Sequence, residues 1–298
     1  MRLSLTICCL SVLIFCIVAN AADTSDDTSK LTVAVSISPQ RFFVEQIAGK
    51  RVNVVTLIPQ GADPHTYEPR PRDVAELEKA KLYFAVGGIE IEKVWLDRFQ
   101  KRFPNINIID TSEGIALKGG HVHEGRAKDE HRVQGVDPHI WLSPPLVMLQ
   151  SRTIYRALVE ADPDGKAIYD EGFSKWMAKL VSLDTELTSM FAPFKGKTFL
   201  VYHPAWSYFA EAYGLQQLAV EKEGKAPGPR DFKNLQGLVA QHDIKFLFVS
   251  SEVPQVAEKN VAQQLGLAVD VLNPLAYDWE NNIRNVAAKL VSSWTTKK

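Results

Sequence analysis

Blocks of apolar residues recur along this chain, and their period switches between two kinds. Leu31 to Ile37 is a nearly unbroken apolar run of strand length, and Pro39 to Ile47 carries its apolar residues at helical spacing. Val52 to Ile58 predicts a second strand, stopped by Pro59-Gln60-Gly61. Pro71 to Ala80 has helical spacing, Leu82 to Val86 reads as a third strand closed by Gly87-Gly88, Glu92 to Phe103 as a helix, and Ile106 to Ile109 as a fourth strand. Apolar strands alternating with amphipathic helices predict an α/β layer built on a parallel sheet.

Lys118 to Gln134 breaks the pattern. It is polar and holds His121, His123 and His131 among Glu124, Asp129 and Glu130. Such a tract cannot bury a core, which predicts a mobile loop, either a solvated insertion or an accessory metal-collecting segment. Pro144 to Glu160 is then helical up to Asp162-Pro163. Asp164 to Phe191 predicts one helix, with Ile168, Phe173, Trp176, Leu180, Leu183 and Leu187 as its apolar positions. At 1.5 Å per residue that helix is about 40 Å long, more than a small domain needs and suited to connecting two lobes. A second α/β series follows: strands at Thr198 to Tyr202, Leu215 to Val220, Phe246 to Val249 and Ala268 to Leu272, with helices at Trp206 to Tyr213, Asp231 to Gln241, Ala257 to Leu265 and Trp279 to Trp294. The expected organisation is an N-terminal α/β lobe over 22–143, a helical segment over 144–196, and a C-terminal α/β lobe over 197–298. Each lobe would carry a mainly parallel sheet flanked by helices, with one long rigid helix joining them.

The N-terminal residues fall outside this pattern. Arg2 precedes an apolar run, Leu3 to Val18, that is shorter than the ~20 residues a bilayer-spanning helix needs. Ala19-Asn20-Ala21 places small residues at the −3 and −1 positions of a cleavage site. A signal peptide over 1–21, cleaved near Ala21, is therefore expected, with export to the periplasm. Cys8, Cys9 and Cys16 all lie within it. The mature chain then has no thiol nucleophile, thiolate zinc site or disulfide, and must rely on its core. A 46% apolar composition is enough for that. The formal net charge is −1 and no basic block stands out, which gives nucleic-acid binding no support.

Candidate chemistry sits on three histidines: His65 in GADPHTYEP, His139 in VDPHIWLSP and His203 in LVYHPAWSYF. Two follow Asp-Pro and the third follows a predicted strand. Neutral imidazole is a strong ligand for Zn²⁺ and similar metals, and three imidazoles with one oxygen make a tetrahedral site. Isolated histidines also cap turns or hydrogen-bond inside cores, so spacing alone leaves both readings open.

The combination of GADPHTYEPRPRDV, DPHIWLSP and VYHPAWSYFAEAYGL resembles the solute-binding proteins of ABC importers for zinc and manganese, over nearly the whole chain from Val33. The resemblance implies that His65, His139 and His203 bind the metal, and a histidine at the third position is similar to the zinc branch. It also implies a monomer that takes Zn²⁺, or alternatively Mn²⁺, as cargo and delivers it to an importer's membrane permease. The family places an aspartate in a DPL motif as fourth ligand; here the corresponding residue is Asn273, in Leu272-Asn273-Pro274-Leu275. An amide oxygen is a weaker ligand than a carboxylate, and three imidazoles plus an amide leave the site's charge uncompensated. Asp63, Asp137 and Glu252 are candidate compensating anions. Alternatives are a metal-binding adhesin and a zinc hydrolase; no HExxH or GxSxG motif supports the hydrolase.

Overall fold

The computed structural model describes residues 30–119, 135–221, 226–251 and 256–295. The expected signal peptide, the polar leader before Lys30, residues 120–134 of the histidine-containing loop and Glu252 lie outside the described residues.

Two parallel sheets of four strands each organise the described residues. The first joins β1 (Leu31–Val35), β2 (Val52–Thr56), β3 (Leu82–Ala85) and β4 (Asn107–Asp110) in the order β2-β1-β3-β4. Between the strands run α1 (Ser38–Ala48), α2 (Pro71–Leu77) and α3 (Glu90–Arg102). Val33, Ala34 and Val35 are fully buried, as are Phe43 and Val44 of α1, because helices leave little of the sheet's surface to water. The second sheet joins β5 (Thr198–Val201), β6 (Gln216–Ala219), β7 (Phe246–Val249) and β8 (Ala268–Val271) in the order β6-β5-β7-β8. Its helices are α6 (Ser207–Ala212), α7 (Pro229–Gln241), α8 (Val256–Leu265) and α9 (Trp279–Thr295). In both sheets the order reverses beside the first strand, and crevices for ligands form at the carboxyl ends of strands at such a switch point.

Between the sheets lie α4 (Pro144–Ala161) and α5 (Lys166–Phe191), the latter bounded by 3₁₀ turns at Pro163–Gly165 and Ala192–Phe194. This is the connecting helix that the sequence predicts. Its buried face differs in one detail: Ile168 is exposed and Tyr169 is fully buried. Tyr169 continues the row of Trp176, Leu180, Leu183, Leu187 and Phe191 around the helix, whereas Ile168 falls beside it. Gly172 brings α5 against α1, where a Cβ would stand 2.1 Å from the Ile47 carbonyl oxygen. Six of the eight predicted strands run one or two residues past the observed ones at their carboxyl ends, whereas β7 ends as predicted and β4 one residue later. No helix among the described residues is long and apolar enough to cross a membrane.

Candidate metal centre

His65 lies in the loop after β2, at the carboxyl edge of the first sheet. The Asp63 side chain accepts the His65 amide at 3.0 Å and the Thr66 hydroxyl at 3.2 Å, the self-bonding turn that aspartate favours, with Pro64 restricting the backbone between. The ring's Nδ1 stands 2.9 Å from Glu90 Oε2. Glu90 opens α3 directly after β3 and its glycine turn. Glu92 shapes that turn from inside: its buried carboxylate accepts the amides of Val86, Gly87 and Gly88 at 2.7, 2.9 and 3.2 Å. Gly87 takes φ 92°, and a Cβ there would fall 2.2 Å from Ser112 Oγ, so glycine alone fits.

His139 repeats the Asp-Pro-His turn with a different outcome. Asp137 Oδ1 accepts the His139 amide at 3.0 Å and also lies 2.8 Å from the ring's Nδ1. The other carboxylate oxygen accepts the Ser207 hydroxyl from α6. His139 is 7% exposed. Beyond it Trp141 donates its indole N–H to the Pro274 carbonyl at 2.7 Å, and the Trp141 carbonyl accepts the Trp279 indole at 2.7 Å.

His203 follows β5 at the carboxyl edge of the second sheet. Its Nδ1 stands 2.9 Å from Glu221 Oε2. Glu221 comes just beyond β6, the neighbouring strand, and its amide donates to the Tyr202 carbonyl at 3.0 Å, so the sheet's own pairing sets the carboxylate beside the ring.

These three rings converge. His139 and His203 present Nε2 atoms 3.4 Å apart, and one ligand atom from each histidine lies within 4.8 Å of the other two. Two nitrogens about 2.05 Å from one zinc at the tetrahedral angle would be separated by about 3.3 Å, so this pair already matches a shared ion. On each ring Nδ1 faces a carboxylate. A neutral imidazole donating from Nδ1 carries its proton there and leaves the Nε2 lone pair bare and more basic. The carboxylates also bear on the charge problem posed by the sequence: Glu90, Asp137 and Glu221 each stand behind one of the three rings.

Protonation differs between the rings. The Glu90 hydrogen bond raises His65 above the ordinary imidazole value against the opposing effect of burial. The same bond holds Glu90 down to about 2. Burial pushes His139 below the ordinary value, with Asp137 opposing. Burial pushes Asp137 up, but hydrogen bonds from His139 and Ser207 outweigh it and keep the group below the usual carboxylate range.

The other candidate residues sit as follows. Asn273 lies just past β8, also at a carboxyl edge; its Oδ1 accepts the Leu275 amide at 2.8 Å and its carbonyl accepts the Asn282 amide group at 2.7 Å. Asp63 is engaged with backbone and Thr66 rather than with an imidazole. Glu90, Glu221 and Ser207 escape a reading of the sequence, because each is distant in the chain from the histidine it serves. The available signal for the two glutamates is position: each stands within a few residues of the carboxyl end of a predicted strand.

The chain matches, over residues 33–293, the family model described as zinc-uptake complex component A, periplasmic, or ZnuA. It belongs to the ZnuA family. The high-affinity zinc uptake system protein ZnuA of Bacillus subtilis is 29% identical over 262 residues, covering 86% of this chain and 81% of that one. The manganese ABC transporter substrate-binding lipoprotein ScaA of Streptococcus gordonii is 29% identical over 255 residues, covering 83% and 81%. A crystal structure of a ZnuA 138–173 deletion mutant with zinc bound superposes at a TM-score of 0.82 with 34% identity, covering 90% of this chain and all of that one. The family therefore includes relatives named for zinc and for manganese, and this fold is the ZnuA fold.

Proposed function

We propose that this protein captures a divalent transition metal, zinc foremost, outside the cytoplasm and delivers it to the membrane permease of an ABC importer. His65, His139 and His203 are the ligands, with Asn273 or a water at the fourth position; Asn273 Oδ1 keeps a second lone pair beyond the one directed at Leu275. The lobes expected over 22–143 and 197–298 each supply ligands from strand ends, and the protein acts as a monomer. The observation that carries this reading is the convergence of three imidazoles whose Nδ1 atoms each meet a carboxylate. Imidazole favours zinc over the harder manganese, which prefers carboxylate and carbonyl oxygen. The hydrolase alternative needs a carboxylate free to act on metal-bound water. The carboxylates Glu90, Asp137 and Glu221 are instead each paired with an imidazole, which supports binding over turnover.

Calorimetry tests the assignment. Wild-type protein is expected to bind one zinc tightly, and His139→Ala and His203→Ala are each expected to weaken it by at least about a hundredfold without unfolding, since each removes one ligand of at most four. Wild-type affinity in either variant overturns it.

A further inference from the structure

We propose that Ser207 is a positioning residue for the metal site, holding the His139 ring from the opposite half of the molecule through Asp137. The proposal rests on the reading of His139 as a ligand.

Asp137 has both carboxylate oxygens engaged. Oδ1 takes the amide and the ring Nδ1 of His139, and Oδ2 takes the hydroxyl of Ser207. The torsion that would swing a carboxylate about its own axis is broad and soft, so one bonded oxygen alone fixes its plane poorly. Contact at both oxygens holds Oδ1 on Nδ1. That contact in turn keeps the ring in the tautomer whose Nε2 lone pair faces His203.

The Ser207 hydroxyl has no competing local task. It opens α6, whose N-cap position is Trp206, and no side chain caps that helix. Its surroundings fix the approach of α6 to the Asp137 segment. The Tyr208 hydroxyl donates to the Asp137 carbonyl at 2.8 Å and accepts the Lys118 amide at 2.8 Å. Lys118 Nζ lies 2.9 Å from the Ser207 carbonyl, 2.7 Å from the Glu211 carboxylate and 4.9 Å from the Tyr208 ring centre. The short segment from His203 to Tyr208 thus supplies one ligand and also the groups that orient another. Separation of the two halves at this seam would release Asp137, and with it the tautomer of His139. Ser207 makes the metal affinity of an N-terminal ligand depend on the seating of the C-terminal half.

Two readouts on Ser207→Ala and Ser207→Thr test this. The first needs no metal: imidazole ¹⁵N shifts of the metal-free protein report which nitrogen of His139 carries the proton. Wild type is expected to show the Nδ1–H form, Ser207→Ala a mixture of tautomers, and Ser207→Thr, which keeps the hydroxyl, a return to Nδ1–H. The second is zinc release to a chelator followed by stopped flow, expected to be about tenfold faster in Ser207→Ala and restored in Ser207→Thr, at unchanged melting temperature. A His139 tautomer and release rate in Ser207→Ala equal to wild type overturn the proposal. Equal loss in both variants together with a lowered melting temperature also overturns it, by showing a packing role. Failure of the wild-type protein to bind zinc would instead strike the proposed function, and the tautomer measurement would still decide the role of Ser207.

Discussion

An imidazole serves a metal only while it is unprotonated, and His65 and His139 meet that condition with different ease. His139, pushed down by burial, stays unprotonated to lower pH than an ordinary imidazole, whereas His65, raised by Glu90, takes up its proton sooner as pH falls. A base with a raised pKa loses affinity for metal as pH falls through that raised value, so zinc binding should begin to weaken on the alkaline side of the ordinary imidazole value of about 6.5. Below that point one competing proton costs about tenfold in affinity per pH unit. Glu90→Gln removes the charge that raises His65, so the onset should move to lower pH, although the ligand becomes less basic. Zinc dissociation constants measured from pH 8 to 5.5 decide it; the same onset in both proteins would show that Glu90 does not set the proton competition. The three histidines were legible in the sequence, two because Asp-Pro-His is a local turn with a local cause and the third because it follows a predicted strand. Of their carboxylate partners only Asp137 was named from the sequence. Asp63 and Asp137 stand in the same motif, yet only Asp137 reaches its own imidazole, and no local rule separates the two. The difference is tertiary: Glu90 stands beside the ring of His65, and α6 binds the far oxygen of Asp137.

Period and punctuation were enough to place the helices and strands, because the inner strands β1, β3, β5 and β7 are largely buried apolar runs and the helices between carry their apolar residues at helical spacing. What they could not reveal is where two elements come close enough for backbone contact. Gly172 is mid-helix in α5, where helix propensity alone would favour alanine by about 1 kcal/mol. Its missing Cβ is the space that the Ile47 carbonyl of α1 occupies, at 2.1 Å. A carbonyl is not the pliable end of a side chain, so α5 or α1 would have to shift. Forcing a methyl into packed structure costs about 1–3 kcal/mol, and here the clash is at the severe end. Gly172→Ala is therefore expected to destabilise the protein on balance, lowering the melting temperature by several degrees at about 2–4 °C per kcal/mol. A melting temperature raised by the substitution would mean that propensity decides the site and that the two helices are not in close contact.

At the scale of the molecule, the two sheets share one interior. Phe43 of α1 meets Trp279 of α9 edge-on at 5.2 Å between ring centres, and both meet Trp176 of α5, at 6.1 and 5.9 Å. The N-terminal half, the connecting helix and the C-terminal half therefore meet in one aromatic cluster. On the outer side of the second sheet a smaller cluster stands apart, with Leu200, Leu235, Val239, Leu247 and Ala262 among its members. A molecule whose halves shared only a tether would unfold in two steps, whereas a common core should make them unfold together. Trp279 tests this most directly, because its ring is 1% exposed and its indole N–H holds the Trp141 carbonyl two residues from His139. Trp279→Ala is expected to cost about 3–5 kcal/mol, to lower the melting temperature by roughly 10 °C, and to leave a single transition. The same loss should loosen the seat of His139 and speed zinc release, linking core packing to the hold on the metal. Calorimetry with far- and near-ultraviolet circular dichroism decides the matter. Separate transitions for the two halves in the wild-type protein, or zinc release unchanged in Trp279→Ala, would show that the shared cluster fastens neither the halves nor the site.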